Sequence, residues 1–158
     1  MREELLTLLQ LKDLPRTGWV RAGVGNPESV AAHSWGMAVL ALRLCPEHLD
    51  LSKVLSMCLV HDVAEVVVGD LTPHDTIKGQ EKHELERAAM LKIAPQWIDL
   101  FDEYEQGVSQ EAQFVKTMDK LDMGLQAINY QQQGHDLSEF IASARSRTDE
   151  TEFASLLD

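Results

Sequence analysis

The stretch LSKVLSMCLVHDVAEVVVGD, residues 51–70, decides the fold. Its apolar positions surround a helical axis instead of alternating. With Asp50 in place as an N-cap and Gly69 as a stop, it predicts a helix over residues 51–67. A helix that is apolar almost all round belongs at the centre of a fold. Val66 to Val68 form the one β-like run, and they fall at the helix end, so no convincing strand pair remains. The same stretch sets a question. His61, Asp62, Glu65 and Asp70 lie within twelve residues, LVHDVAEVVVGD, where valine or leucine would pack without penalty. An ionised carboxylate is costly to bury without a partner, so four such groups ask for a shared one.

Helical periodicity continues on both sides. Residues 3–12 carry Leu5, Leu6, Leu8, Leu9 and Leu11 as an apolar face. The following LPRTGWVRAGVGNP reads as a loop, although it holds Trp19, Arg16 and Arg21. Asn26 and Pro27 read as an N-cap and first helical position for a helix running to Cys45. GDLTPHDTIKGQ is turn chemistry. Helices are expected over about 80–93, limited by Pro95, over about 96–104, and from a Ser109 cap to about 133. The last of these has Phe114, Val115, Met118, Leu121, Leu125 and Ile128 as its inner stripe, and Gly134 ends it. Asp136 and Glu139 have capping-box spacing for a final helix, and the tail offers one weak turn. The expected architecture is an all-α, single-domain helical bundle over residues 1–158.

The 158 residues are 44% hydrophobic and 25% charged, which is enough apolar material for one core. A net charge of −12 argues against a nucleic-acid backbone or an anionic membrane as the main partner. An anionic substrate would then need local positive charge from Arg, His or a metal. Cys45 and Cys58 are too few for a disulfide framework and lack zinc-site spacing, so they read as reduced core thiols. MREELLTLLQLKDL has acids where a signal peptide needs an apolar core, and no run reaches membrane-spanning length. The expected location is cytoplasmic.

His61, Asp62 and Glu65 share one side of the central helix by their three- and four-residue spacing. His33, in AAHSWGMAV, and Asp119, in FVKTMDKLD, project from two other helices toward the same interior. Taken singly, each has a bland reading: a satisfied core histidine, a chance His-Asp pair, a solvated helix aspartate. Lys116, Lys120 and Asp122 read as solvated too. Taken together, two imidazoles and two carboxylates make a ligand set for Mn, Co, Fe, Ni or Zn in preference to Mg. Glu65, not needed as a ligand, is placed to orient a water or move its proton.

This order, His33, then His61-Asp62, then Asp119, resembles the H…HD…D signature of the HD-domain metal-dependent phosphohydrolases. PRTGWV (15–20), NPESVAAH (26–33), HDVAE followed by VGD (61–70), EKHELE (81–86) and FVKTMDKLDMGLQA (114–127) resemble its 5′-deoxynucleotidase branch. The resemblance implies an HD-type helical fold and hydrolysis of deoxyribonucleoside 5′-monophosphates to deoxynucleoside and phosphate by metal-activated water. It implies His33, His61, Asp62 and Asp119 as metal ligands, Glu65 as the catalytic residue, and Asp70 near the deoxyribose. It also implies Arg16 and Trp19 as a substrate-binding loop, and a homodimer.

Several alternatives stay open. Trp19 either stacks on a base or seals its loop to the core, and Arg16 either binds phosphate or is solvated. Asp70 either bonds a 3′-hydroxyl, caps the following turn, or holds a second cation with Glu65. EKHELE reads equally well as a charge-laced exposed helix, which leaves His74, Asp75 and His83 outside the core site. Another nucleotide as substrate, cyclic or alarmone-like, is a second enzyme reading. A nucleotide- or metal-binding regulator without turnover is the reading from a different class.

Overall fold

The central helix begins where Asp50 predicts, its carboxylate accepting from the Lys53 N–H at 3.1 Å, but it stops short of the predicted end. In the computed structural model, which describes residues 1–158, α4 is Leu51–Val60 and α5 is only Glu65–Val68. Between them the chain tightens into three-residue turns, with Val63 N–H on the Val60 carbonyl and Glu65 N–H on that of Asp62, both at 3.0 Å. The break falls on the polar residues and re-aims their side chains. Gly69, at φ 82°, ends α5 as expected.

Upstream, α1 is Arg2–Leu9, continued by a tighter turn at Gln10–Lys12. Its leucine face is only partly covered: Leu5, Leu6 and Leu9 are exposed, Leu8 packs partly buried against a small core cluster, and Leu11 is buried. The segment read as loop contains a short helix, α2, Thr17–Arg21. A helix this short does not stand alone. Asp70 caps it from far along the chain, accepting from the Thr17 N–H at 2.7 Å, and buried Trp19 pins it to the core. The next helix, α3, Val30–Leu44, is capped by Ser29 instead of Asn26, with Ser29 Oγ accepting from the Ala32 N–H. Residues 28–30 are held back from helix by pairing with residues 14–16: Arg16 N–H to the Glu28 carbonyl at 3.0 Å, Val30 N–H to the Leu14 carbonyl at 2.8 Å. That pairing draws Arg16 toward the start of α3.

Downstream, α6 is Gln80–Ile93 and α7 is Ile98–Gln106, separated by a tight turn at Pro95–Trp97. The long helix, α8, is Gln110–Gln131, with the expected Ser109 cap on Ala112. Phe114, Val115, Met118 and Leu121 are buried on it, and Leu125 and Ile128 pack partly buried at the core edge. The last helix, α9, is Ser138–Thr148, and it has no capping box: Asp136 instead accepts from Ser138 N and Oγ in a local turn. The tail closes the core with Phe153 and Leu157.

The result is all α. The main core lies where α8 packs on α3, α4 and α9, with a smaller cluster around Met90 and Phe101 under α6 and α7. Both cysteines are free, and burial pushes the Cys58 thiol up to about 12. No helix is long and apolar enough to cross a membrane.

Candidate active site and metal centre

Three elements bring the predicted ligands together. His33, in the first turn of α3, is fully buried; His61 follows α4 at 4% exposure; Asp119 stands on α8. His61 Nε2 lies 3.0 Å from Asp62 Oδ2, and His33 Nε2 lies 3.2 Å from Asp119 Oδ1 and 4.0 Å from Asp62 Oδ2. Despite these short separations, both Nε2 atoms are buried with no aligned hydrogen-bond partner. Each ring is oriented from behind. His61 Nδ1 donates to the Cys58 carbonyl at 2.9 Å, and His33 Nδ1 donates to Asp122 at 2.7 Å.

Held that way, both rings turn Nε2 toward one point, where each offers a lone pair once that nitrogen is unprotonated, as metal-ligating histidines do. Two ligands about 2.1 Å from one ion and at right angles stand about 3.0 Å apart, which the His61–Asp62 and His33–Asp119 separations match. His33, His61 and Asp62 place ligand atoms within 4.8 Å of one another, and Asp119 joins them through His33. The orphaned nitrogens and the N₂O₂ donor set therefore fit a divalent transition metal.

The carboxylates are tuned for the same task. Burial alone would raise Asp62, but His61, His33 and Arg16 override it and hold the acid down to about 2. Burial also works against Asp119, and His33 with Lys120 and His61 keeps it well below the usual range. Glu65 goes the other way. It is 4% exposed with Oε2 unpartnered, and burial, then Asp62 and Asp70, push its carboxyl well above its ordinary value. A carboxyl held above its ordinary range is a better proton acceptor than a free one, which suits it to taking up and releasing a proton.

His61, Asp62, Glu65 and Asp119 line a cavity of about 490 Å³, the size range of small-molecule sites, with His33 behind its wall. Arg16 enters it 3.7 Å from Asp62, and its guanidinium stays charged against burial because Asp62, Asp119, Asp70 and Glu65 surround it. The HD domain family model matches residues 8–156.

This chain belongs to the HD domain family.

The human protein named 5′-deoxynucleotidase HDDC2 is 38% identical to it, over 94% of this chain and 78% of the human one. The bovine protein of the same name is 43% identical over 77% of this chain, and the match spans 63% of the bovine length, under two thirds. Among solved structures, a protein from Pyrococcus horikoshii OT3 superposes with a TM-score of 0.87 at 37% identity, covering 99% of this chain and 94% of that one.

Within this HD domain, the other sequence candidates separate. Asp70 lines the cavity while one oxygen holds Thr17. Trp19 is 1% exposed: its indole N–H donates to Glu28 at 2.9 Å and its ring packs on Tyr130 and Phe140, which is a sealing role. His74 reaches the cavity rim near Glu139, Asp75 holds the Thr72 turn, and His83 stacks on Phe101 beside Glu105.

Sequence reasoning missed five contributors. Asp122 was read as solvated, yet it orients His33; its signal was the three-residue spacing from Asp119, which puts both on one face of α8. Lys82 and Glu86 of EKHELE line the cavity, paired at 3.3 Å, with Lys82 also donating to the Leu71 carbonyl. Tyr104, its ring 5.1 Å from that of His61, and Phe140 of α9 complete the wall. These last two have no sequence signal beyond being aromatic.

Proposed function

We propose that this HD-domain chain is a metal-dependent 5′-deoxynucleotidase, a phosphomonoesterase that converts deoxyribonucleoside 5′-monophosphates to deoxynucleoside and phosphate. One catalytic domain over residues 1–158 carries the reaction. The observation that carries the reading is the convergence of His33 Nε2 and His61 Nε2, buried and unpartnered, on two depressed carboxylates beside Arg16. The names of the human and bovine relatives support the substrate class.

His33, His61, Asp62 and Asp119 hold the ion, which their donor chemistry makes Mn, Co, Fe, Ni or Zn before Mg. Bound there, it supplies Lewis acidity, which lowers the pKa of water and polarises a phosphoryl oxygen. Glu65 takes the proton of the attacking water as the new P–O bond forms, and that proton passes to the 5′-oxygen as its bond to phosphorus breaks, giving the 5′-hydroxyl and phosphate. Arg16 turns its fork from Asp62 to the phosphoryl oxygens and stabilises the charge that develops on them. Asp70 faces the sugar, and with Glu65 it forms the pair of carboxylates a second cation would use.

The partner is a nucleotide, not a nucleic-acid polymer or a membrane, and the setting is cytoplasmic. The working assembly is a homodimer, for which Trp35, Val39 and Leu42 offer an exposed apolar stripe on α3.

The test is phosphate release by metal-stripped protein resupplied with Mn, Co, Zn or Mg, against paired deoxy- and ribonucleoside 5′-monophosphates. Asp62→Ala serves as control. Metal-dependent release from the deoxy series, lost in the control, supports the reading. Release only from cyclic or alarmone-type nucleotides, or metal retention without turnover, overturns it.

A further inference from the structure

The cavity changes character along its length. One end is the ligand cluster with Arg16. Asp119 lies on its floor, and Met123, one turn further along α8 and about 6 Å on by helix rise, lies on the same floor. Beyond Met123 the wall is α9, which presents Phe140 and Ser143. Phe140 is half-buried and fixed from behind: its ring centroid is 4.5 Å from that of Trp19, and a Cβ on Gly18 would come within 3.0 Å of its edge. The missing side chain at Gly18 is thus what lets the Phe140 ring lie against α2. Across the mouth, His74 stands 3.9 Å from Glu139.

A nucleoside 5′-monophosphate has the same gradient: a dianion at one end, a hydroxylated sugar, then a flat aromatic base. We propose that Phe140, backed by Trp19 and floored by Met123, is the surface on which the base stacks, so that α9 supplies a base subsite that Trp19, committed to the core, does not. This rests on the deoxynucleotidase reading. Stacking accepts any base because every base has a π-face. The subsite therefore demands a base without selecting strongly among the four, and the exposed His74 and Glu139 meet only its outer edge.

The experiment compares each deoxynucleoside 5′-monophosphate with deoxyribose 5-phosphate, which carries the same phosphate and sugar and no base. Wild type, Phe140→Ala, Phe140→Leu and Phe140→Tyr are assayed in parallel. In wild type, kcat/KM for all four nucleotides should exceed that for deoxyribose 5-phosphate about tenfold or more, the scale of one base–aromatic stack. Phe140→Ala and Phe140→Leu should raise KM for the nucleotides by that factor with kcat nearly unchanged. Both should leave deoxyribose 5-phosphate turnover as it was, and Phe140→Tyr should restore the nucleotides. Equal losses on both substrates would mean Phe140 only supports the fold, and the inference fails. Equal wild-type rates with and without a base also overturn it, while leaving the phosphomonoesterase reading intact. Wild-type turnover of neither substrate overturns the deoxynucleotidase reading, and the base subsite with it.

Discussion

Asp122 accepts a hydrogen bond from His33 Nδ1 at 2.7 Å, tying α8 to α3 through a ligand instead of through the core alone. Gly36, one turn after His33, makes this approach possible, because a Cβ there would run into the Asp122 carboxylate. Losing such support behind a ligating histidine commonly weakens metal affinity by about 10- to 100-fold. Asp122→Ala is expected to fall in that range, Asp122→Asn less far, and Gly36→Ala in the same direction by displacing the carboxylate. Competition with a chelator measures all three. Unchanged affinity in the folded variants would remove Asp122 from the site.

Metal binding should release a proton. Burial and Arg16 push the His33 imidazolium down, but Asp119 and Asp122 outweigh them and hold its pKa up to about 9. In metal-free protein at pH 7 the ring is therefore charged, and a cation has to displace the proton on Nε2. Affinity is expected to climb by about tenfold per pH unit through neutrality and to level off near pH 9. Calorimetry at pH 7 in two buffers of different ionisation enthalpy reads the proton count directly. A heat independent of buffer would show that His33 is neutral before the metal arrives.

The same groups set how metal-free stability depends on pH. His33 and Glu65 both have folded pKa values raised above the ordinary 6.5 and 4.5. Each binds more protons folded than unfolded, so its contribution is full below the unfolded value and is lost as pH rises through the folded one. Metal-free protein should accordingly lose stability as pH rises from about 5 to about 9. Glu65→Gln removes one of the two contributions. It should lower kcat by about 10²- to 10⁴-fold with metal retained. It should also raise the metal-free Tm at pH 8 by about 2–4 °C for each kcal/mol relieved. A Tm that falls at pH 8 would mean the Glu65 carboxylate is stabilised in the folded protein by something other than a bound cation.

What the sequence showed and what it hid divide along one line. Groups whose role is set by nearby residues were legible: the Asp50 and Ser109 caps, the α8 stripe, and His61, Asp62 and Glu65 as neighbours in sequence, although not on one continuous helix. Groups whose role depends on another segment were not. Asn26 and Pro27 are good helix-starting chemistry, but pairing of residues 28–30 with 14–16 moved the cap to Ser29. Thr17–Arg21 lacks the length to predict a helix, and its cap, Asp70, arrives from beyond α5. The central helix broke between Val60 and Glu65 because tighter turns aim the ligands inward, which periodicity does not reveal. Trp19 was legible as important and illegible in direction: burial against Tyr130 and Phe140 decides that it seals.

Arg16 sits between two partners, and that position makes opposite effects of one substitution testable. Its guanidinium is 3.7 Å from Asp62, itself a proposed ligand. In the resting protein the two charges partly satisfy each other, so Arg16 competes with a cation for Asp62. Arg16→Ala should therefore leave metal affinity unchanged or higher. It should also cost about 10²- to 10³-fold in kcat/KM, the scale of losing one group that stabilises developing charge. Arg16→Lys keeps the charge but not the planar fork, so it should fall between wild type and Arg16→Ala. Asp70 separates placement of Arg16 from its chemistry, because Asp70 holds Thr17, the next residue, at 2.7 Å. Asp70→Asn keeps an oxygen that accepts from the Thr17 N–H, whereas Asp70→Ala frees the start of α2. Turnover should follow the order wild type, Asp70→Asn, Asp70→Ala, with affinity for the ion at His33, His61, Asp62 and Asp119 nearly constant across the three. If Arg16→Ala instead lowers metal affinity and turnover together, the arginine is holding the ligand cluster in place and the phosphate contact has to come from Lys82, Lys116 or Lys120 on the same cavity wall.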